Sequence, residues 1–308
     1  MRTIVPAPPQ GQRGRPEPGR YTFCMLEARP RPAAQPHRRP LPQVTLVAVD
    51  TRSPELALRA LSHSSLHLDF ARCLLLTHGA PGLTLPPHIE AVDIGPIRSS
   101  AEYSRWILGS LLEHVQTSHV LVTQWDGFVC DPSAWDDAFL DADYLGAPWG
   151  KAPQGFLVGN GGFSLRSRRL LECLQAPAAR ALWHHPEDVC IGQTLRPLLE
   201  AEFGIRFGSL DMARRFACEN EPPPGPCFGF HGVFNLHRAL DSSALCGMVQ
   251  QLPAGFANSR DGFKWARALL QAGMPAPAWS LLQQRLAGGA TDWRTRWMHW
   301  RARRQLSA

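Results

Sequence analysis

The run His119-Val120-Leu121-Val122-Thr123 has a continuous apolar centre and passes directly into Gln124-Trp125-Asp126-Gly127-Phe128. A short continuous apolar segment that stops at a turn is the signature of a strand buried on both faces, as in a parallel sheet. Two more such runs precede it. Val44-Thr45-Leu46-Val47-Ala48-Val49 stops at Asp50, and Phe70-Ala71-Arg72-Cys73-Leu74-Leu75-Leu76 stops at Thr77. Between the first two, Ser53-Pro54-Glu55 opens a helix, with Ser as cap and Pro at its first position. Ile89 to Ile94 reads as a third strand. Ser99-Ser100-Ala101-Glu102 resembles a capping box for one helix over 101–116. Strands alternating with helices predict an α/β fold with a mostly parallel, doubly wound sheet flanked by helices. In such sheets ligands lie beyond the carboxyl ends of the strands. That rim is where Asp126 falls, and an unpaired carboxylate buried in the core would be costly.

After Asp126 the pattern changes. Asp131-Pro132 caps a short helix, 144–149 is a strand running into a loop, and Gly159 to Gly162 is a glycine-rich turn that leads into a strand at 163–166. Ser167 caps a helix over 168–175. Pro186-Glu187-Asp188 begins a helix that runs to about 201. Ile205 to Phe207 is a short strand, and Phe228 to Gly232 ends the α/β part. Residues 43–240 therefore form the α/β domain, and 241–308 form a helical extension broken by Pro253, Pro275 and Pro277. Residues 1–42, dense in Pro, Arg, Gly and Gln, bury too little apolar surface to order and are expected to be a disordered tail. The island Tyr21 to Leu26 within it is read as a sticky patch in a coil.

The 308 residues are 44% hydrophobic, enough for a sizeable core. No apolar stretch is long enough to span a bilayer. No secretory signal is expected, so the expected location is cytoplasmic. The net charge of +6 is carried almost wholly by Arg, since Lys151 and Lys264 are the only lysines. The eight cysteines form no C-x-x-C pair and are read as reduced bystanders, not as a zinc site or a disulfide scaffold. Near the C-terminus Trp293, Trp297 and Trp300 share one helical face amid arginines. A basic aromatic helix suits a membrane or a nucleic acid. The simpler reading, and the one expected, packs the Trp face on the domain and leaves the Arg face in water.

Four elements carry chemistry: Asp126, the turn at Gly159–Phe163, the Glu187-Asp188 pair and His231. Each has an ordinary explanation alone: a turn, a tight hairpin, a helix start, a core histidine. Their order is more specific. With Gln124-Trp125-Asp126-Gly127-Phe128, Gly159-Asn160-Gly161-Gly162-Phe163-Ser164-Leu165-Arg166-Ser167 and Phe228-Gly229-Phe230-His231-Gly232, the chain resembles the GT-A-type glycosyltransferases over residues 43–238. It is most similar to a bacterial family of uncharacterised glycosyltransferase-like proteins that carries these three blocks.

That resemblance implies transfer of a sugar from a nucleotide-sugar donor, UDP-sugar favoured, to a glycan or other hydroxyl acceptor. Family members hold a divalent metal with an Asp-x-Asp motif. The matching positions here are Gln124, Trp125 and Asp126, so the first carboxylate is missing. Carried over, Asp126 and His231 are the metal ligands, a set that suits Mn²⁺ better than Mg²⁺. Asp188 is implied as the base that takes the acceptor proton, with Glu187 as the alternative. Val49, Asp50, Thr51 and Arg52, together with Ala48, match the place where the base and ribose lie. Gln124 and Trp125 join them, and Gly161 and Gly162 let the donor sugar approach closely. Arg105 either reaches a phosphate or is a surface helix residue. The rival class is a non-catalytic nucleotide-sugar or glycan-binding protein with a degenerate fold of the same type. A nucleic-acid partner, suggested by the Arg-rich ends, is not expected.

Overall fold

The computed structural model describes residues 38–307 apart from 80, 81, 151, 154 and 254. Most of the expected tail, with its Tyr21–Leu26 island, lies outside them.

The expected mostly parallel α/β sheet forms, with six strands in the order β3-β2-β1-β4-β6-β5. β1 (Arg39–Val49) pairs in parallel with β2 (Leu68–Thr77) on one side and β4 (His119–Thr123) on the other. β3 (Ile89–Asp93) extends the sheet beyond β2, again in parallel. β6 (Phe163–Ser167) runs antiparallel to β4, and β5 (Tyr144–Gly146) antiparallel to β6. Val47 and Val49 face one core with α2, and Leu46 and Ala48 face the other, as the two-residue period of a strand requires.

β1 begins at Arg39, inside the stretch expected as tail. Residues 39–41 pair with 68–70 before a register break between Leu41 and Thr45. Pro42, which has no N–H to donate, falls within that break. The two prolines hid the strand in the sequence, although Leu41 is buried.

Helix α1 (Pro54–Ser64) crosses from β1 to β2. α2 (Ser100–Gly109) and α3 (Leu111–His114) stand in place of the single expected helix. The break comes at Gly109-Ser110, and glycine is a poor helix former. The Ser99 hydroxyl accepts from the Glu102 N–H at 3.1 Å, and the Glu102 carboxylate accepts from the Arg98 N–H, closing the start of α2. α4 (Arg168–Leu174), capped by Ser167, and α5 (Pro177–Arg180) follow β6. The acidic stretch is one turn, α6 (Glu187–Val189), then a π-helical turn over Cys190–Thr194, then α7 (Arg196–Phe203). Pro197 cannot donate to the turn before it, and the Leu195 N–H bonds five residues back to Cys190. The expected strand at 205–207 is reduced to a single bridge between Tyr144 and Phe207. α8 (Leu210–Phe216) leads into β7 (Ala217–Cys218), which pairs in parallel with β8 (Gly229–Phe230).

The C-terminal segment is helical as expected: α9 (Ser242–Gln250), α10 (Arg260–Gln271), α11 (Pro275–Ala287) and α12 (Trp293–Leu306). These helices share one buried core with Phe128 and Phe230 of the α/β part. Among the described residues, no helix is long and apolar enough to cross a membrane.

Candidate functional site

From β1 the chain moves outward to β2 and β3, then returns to β4 on the other side of β1. The point where strand order reverses therefore lies between β1 and β4, and a crevice opens there beyond the strand ends. The structure has such a cleft, of about 310 Å³, with walls from Val49, Asp50, Thr51 and Arg52 after β1 and Thr123, Gln124 and Trp125 after β4. Ser99, Ser100 and Tyr103 at the start of α2 close the third side.

Several of these groups are already engaged. One Asp50 oxygen accepts from the N–H groups of Arg52 and Ser53, both at 2.8 Å, which shapes the turn into α1. The Thr51 hydroxyl donates to the Ile97 carbonyl and accepts from the Ile97 N–H, so it clamps the loop before α2. Arg52 is exposed at the cleft edge. Trp125 packs edge-on against Phe256, ring centres 5.6 Å apart. Arg105 is exposed on α2 and is not among the residues that line the cleft. Of the two readings of Arg105, its position agrees with the surface helix residue, because Tyr103 and not Arg105 falls on the inner side of the helix.

Past β4 the chain turns tightly: the Gly127 N–H returns to the Gln124 carbonyl, and the Gln124 N–H bonds the Gly162 carbonyl at 2.9 Å. The turn holds Asp126 beside His231, with 3.5 Å between Asp126 Oδ1 and His231 Nε2. On its other side, His231 Nδ1 lies 3.3 Å from Glu219 Oε1. Gln124 links the imidazole to α2: its Oε1 is 3.2 Å from His231 Nε2, and its Nε2 donates to the Tyr103 hydroxyl. Burial disfavours a charged imidazole, but the two carboxylates outweigh it and hold the His231 pKa up at about 10. Asn235 fixes the same strand end by donating to the carbonyls of His231 and Glu219.

The acidic turn sits across the Gly161-Gly162 dipeptide. Glu187 is buried and committed: Oε2 accepts from the Ser104 hydroxyl at 2.9 Å, and Oε1 lies 3.7 Å from Nη2 of the fully buried Arg166. Asp188 is more open. It accepts from the Gly161 N–H at 3.3 Å and from the Val189 N–H at 2.8 Å. Burial first, then the neighbouring Glu187, raise its carboxyl above the ordinary range.

The glycines have a different use from the one expected. A Cβ on Gly161 would lie 2.9 Å from Asp188 Cβ and 2.9 Å from Glu187 Oε1, and one on Gly162 would lie 2.1 Å from His231 Nε2. The space beside them is filled by the protein, so their missing side chains let the acidic turn and the imidazole close on the start of β6. Gly162→Ala is expected to displace His231 and cost about 1–3 kcal/mol of stability by overpacking, read as a lowered urea midpoint.

Asp126, His231, Gln124, Glu187 and Asp188 thus converge on one dipeptide, although they are scattered along the chain. Asp131 stays apart and accepts from the Ser133 N–H as a helix cap. Among the described residues, no group of three or more His, Cys, Asp or Glu has the spacing to hold a metal by itself. Glu219 and Arg166 went unassigned in the sequence. Glu219 lies in a segment with no periodicity. Arg166 had a signal, a charge inside a strand of otherwise uncharged residues.

Residues 88–231 match a family model described as "Protein of unknown function (DUF5672)". No curated protein matches the chain. Among solved structures the chain is similar to the mannosyltransferase PcManGT from Pyrobaculum calidifontis in complex with GDP-Man and Mn²⁺. That match is 13% identical over 89% of this chain and 87% of that one, with a TM-score of 0.36. It is also similar to the galactosyltransferase LgtC in complex with donor and acceptor sugar analogs, 12% identical over 83% of this chain and 99% of that one, TM-score 0.42. A third is a glycosyltransferase involved in the glycosylation of the major capsid of PBCV-1, 16% identical over 61% of this chain and 91% of that one, TM-score 0.36.

Proposed function

We propose that the protein is a GT-A-type glycosyltransferase that moves a sugar from a nucleotide donor to a hydroxyl acceptor, with Asp188 as base. The observation that carries this reading is the convergence of Asp126 and His231 with Asp188 on the two sides of Gly161-Gly162, next to a cleft at the reversal of strand order. Consecutive Cα atoms are about 3.8 Å apart, so the dipeptide brings the two groups within a small molecule's reach of each other.

The donor's base and ribose lie in the cleft over Val49, Asp50, Thr51 and Arg52, with Trp125 as a wall. The diphosphate points to Asp126. The donor set there fits a divalent cation. Asp126 Oδ1, Gln124 Oε1 and His231 Nε2 face one another, and a bound ion would replace the proton that Asp126 favours on Nε2, while Glu219 holds the far ring nitrogen, the arrangement that orients a ligating histidine. Asp126, Gln124 and His231 would hold the ion against the donor's diphosphate. A mixed oxygen and imidazole set favours Mn²⁺ over Mg²⁺. When bound, the ion neutralises charge that develops on the departing nucleoside diphosphate.

Asp188 takes the proton of the acceptor hydroxyl as its oxygen bonds to the anomeric carbon. The bond from that carbon to the phosphate oxygen breaks, and the nucleoside diphosphate leaves. A carboxyl raised above its ordinary pKa is a stronger base. Glu187, paired with Arg166 and Ser104, positions the turn.

The test is thermal melting with a panel of nucleotide sugars, with and without Mn²⁺, followed by a donor-turnover assay. A ligand of the native state raises the melting temperature by mass action. UDP-sugar with Mn²⁺ is expected to raise it, and Asp126→Ala and His231→Ala to lose the Mn²⁺-dependent part. Stabilisation without turnover favours the non-catalytic binding protein. No stabilisation by any donor overturns both readings.

A further inference from the structure

We infer that α12 is a docking surface for an anionic lipid bilayer, with Trp293, Trp297 and Trp300 seated at its interface. The expected packing of the Trp face on the domain does not occur. These three indoles are 71%, 48% and 53% exposed, while the residues α12 buries are Thr295, Met298 and Ala302. At 3.6 residues per turn, the three tryptophans fall within a sector of about 60°. The buried trio is centred roughly opposite. The helix therefore points small and medium side chains inward and its largest apolar groups away from the body of the protein, the reverse of a helix that serves only its own core.

Charge decides the occupant. α12 carries Arg294, Arg296, Arg301, Arg303 and Arg304 and no acidic residue. On the helical wheel, Arg294 and Arg301 flank the Trp sector on one edge and Arg296 and Arg303 on the other, with Arg304 inside it. Each indole has a guanidinium over its ring: Arg294 on Trp293 at 5.6 Å, Arg301 on Trp297 at 5.5 Å and Arg304 on Trp300 at 5.1 Å. The groove of about 580 Å³ between α12 and α10 continues the surface, with Phe263 and Leu270 at its floor and Arg267 among its walls. Indoles prefer the level of the lipid headgroups, and arginines beside them meet anionic phosphates. A single-stranded nucleic acid needs free ring faces on which to stack. Here one face of each ring is already covered.

The test is co-sedimentation of the full chain with vesicles of phosphatidylcholine alone and of phosphatidylcholine mixed with phosphatidylglycerol. The protein is expected to bind the anionic vesicles, less as salt rises, and not the neutral ones. Residues 1–37 also contain arginines, so the substitutions decide. W293A/W297A/W300A is expected to weaken binding at least about tenfold, and R294Q/R301Q/R304Q about fivefold for each arginine. All six side chains lie on the outward sector or its edge, so far-UV melting curves are expected to match the wild type. The inference fails if the wild type ignores anionic vesicles, if the triple Trp variant binds them as well as the wild type does, or if single-stranded DNA is bound and vesicles are not. It does not rest on the sugar-transfer reading.

Discussion

Asp188→Asn is expected to lower the proposed sugar transfer by about 10²–10⁴-fold, the usual worth of a positioned general base, and to leave the rise in melting temperature expected with donor and Mn²⁺ as in the wild type. The amide keeps the shape of the carboxylate and, through its one oxygen, the acceptance of one of the two N–H groups of Gly161 and Val189 that Asp188 holds with separate oxygens, but it cannot take a proton. The pH profile gives a second readout. Burial and the neighbouring Glu187 raise the Asp188 carboxyl. The rate is therefore expected to rise with pH through a midpoint above the ordinary Asp value of about 3.9, since only the ionised form is a base. Glu187→Gln removes the second of those causes, so the midpoint is expected to move to lower pH. Asp188→Asn is expected to leave a flat residual rate. An unchanged turnover number in Asp188→Asn removes the residue from the reaction.

Glu187→Ala is expected to cost about 3–5 kcal/mol of folding stability, the penalty for leaving one member of a buried ion pair alone. Arg166 is fully buried, and its other contacts are the Ser164 hydroxyl, the Gly161 carbonyl and the face of Tyr144. One of its terminal nitrogens already lacks a partner, and the carboxylate that remains nearby, Asp188, is taken up by the Gly161 and Val189 N–H groups. Urea denaturation gives the value as a shift in midpoint at constant slope. Adjacent acids thus separate by readout: the first mostly in stability, the second mostly in rate. Equal stability of Glu187→Ala and wild type would mean the pair contributes nothing net.

The sheet was legible because its strands carry their own signal. Val44–Val49, Phe70–Leu76 and His119–Thr123 are apolar runs ended by polar turns, and the alternation with helices set the parallel pairing. The sequence also pointed to Asp126, His231 and Asp188, because the motif order links them. What it could not show was how the linking segments spend their side chains. Thr51 and one Asp50 oxygen serve local turns. Gly161 and Gly162 make room for protein groups. Glu219 and Arg166 matter only through partners distant in sequence. Pro40 and Pro42 masked a strand, and Pro197 turned a predicted continuous helix into one with a π-helical turn. The tryptophans of α12 followed helical periodicity faithfully, but periodicity gives a face and not its direction. Inward or outward is decided by what the neighbouring helices already fill.

Phe128 and Phe230 stand two residues after Asp126 and one before His231, and both are anchored in the core built by α9 to α12. The two aromatic rings meet at 4.8 Å. The last seventy or so residues are therefore the foundation on which the carboxylate and imidazole stand, not a detachable appendix. Any force that α12 feels at a surface reaches Asp126 and His231 through a single block of packed hydrocarbon.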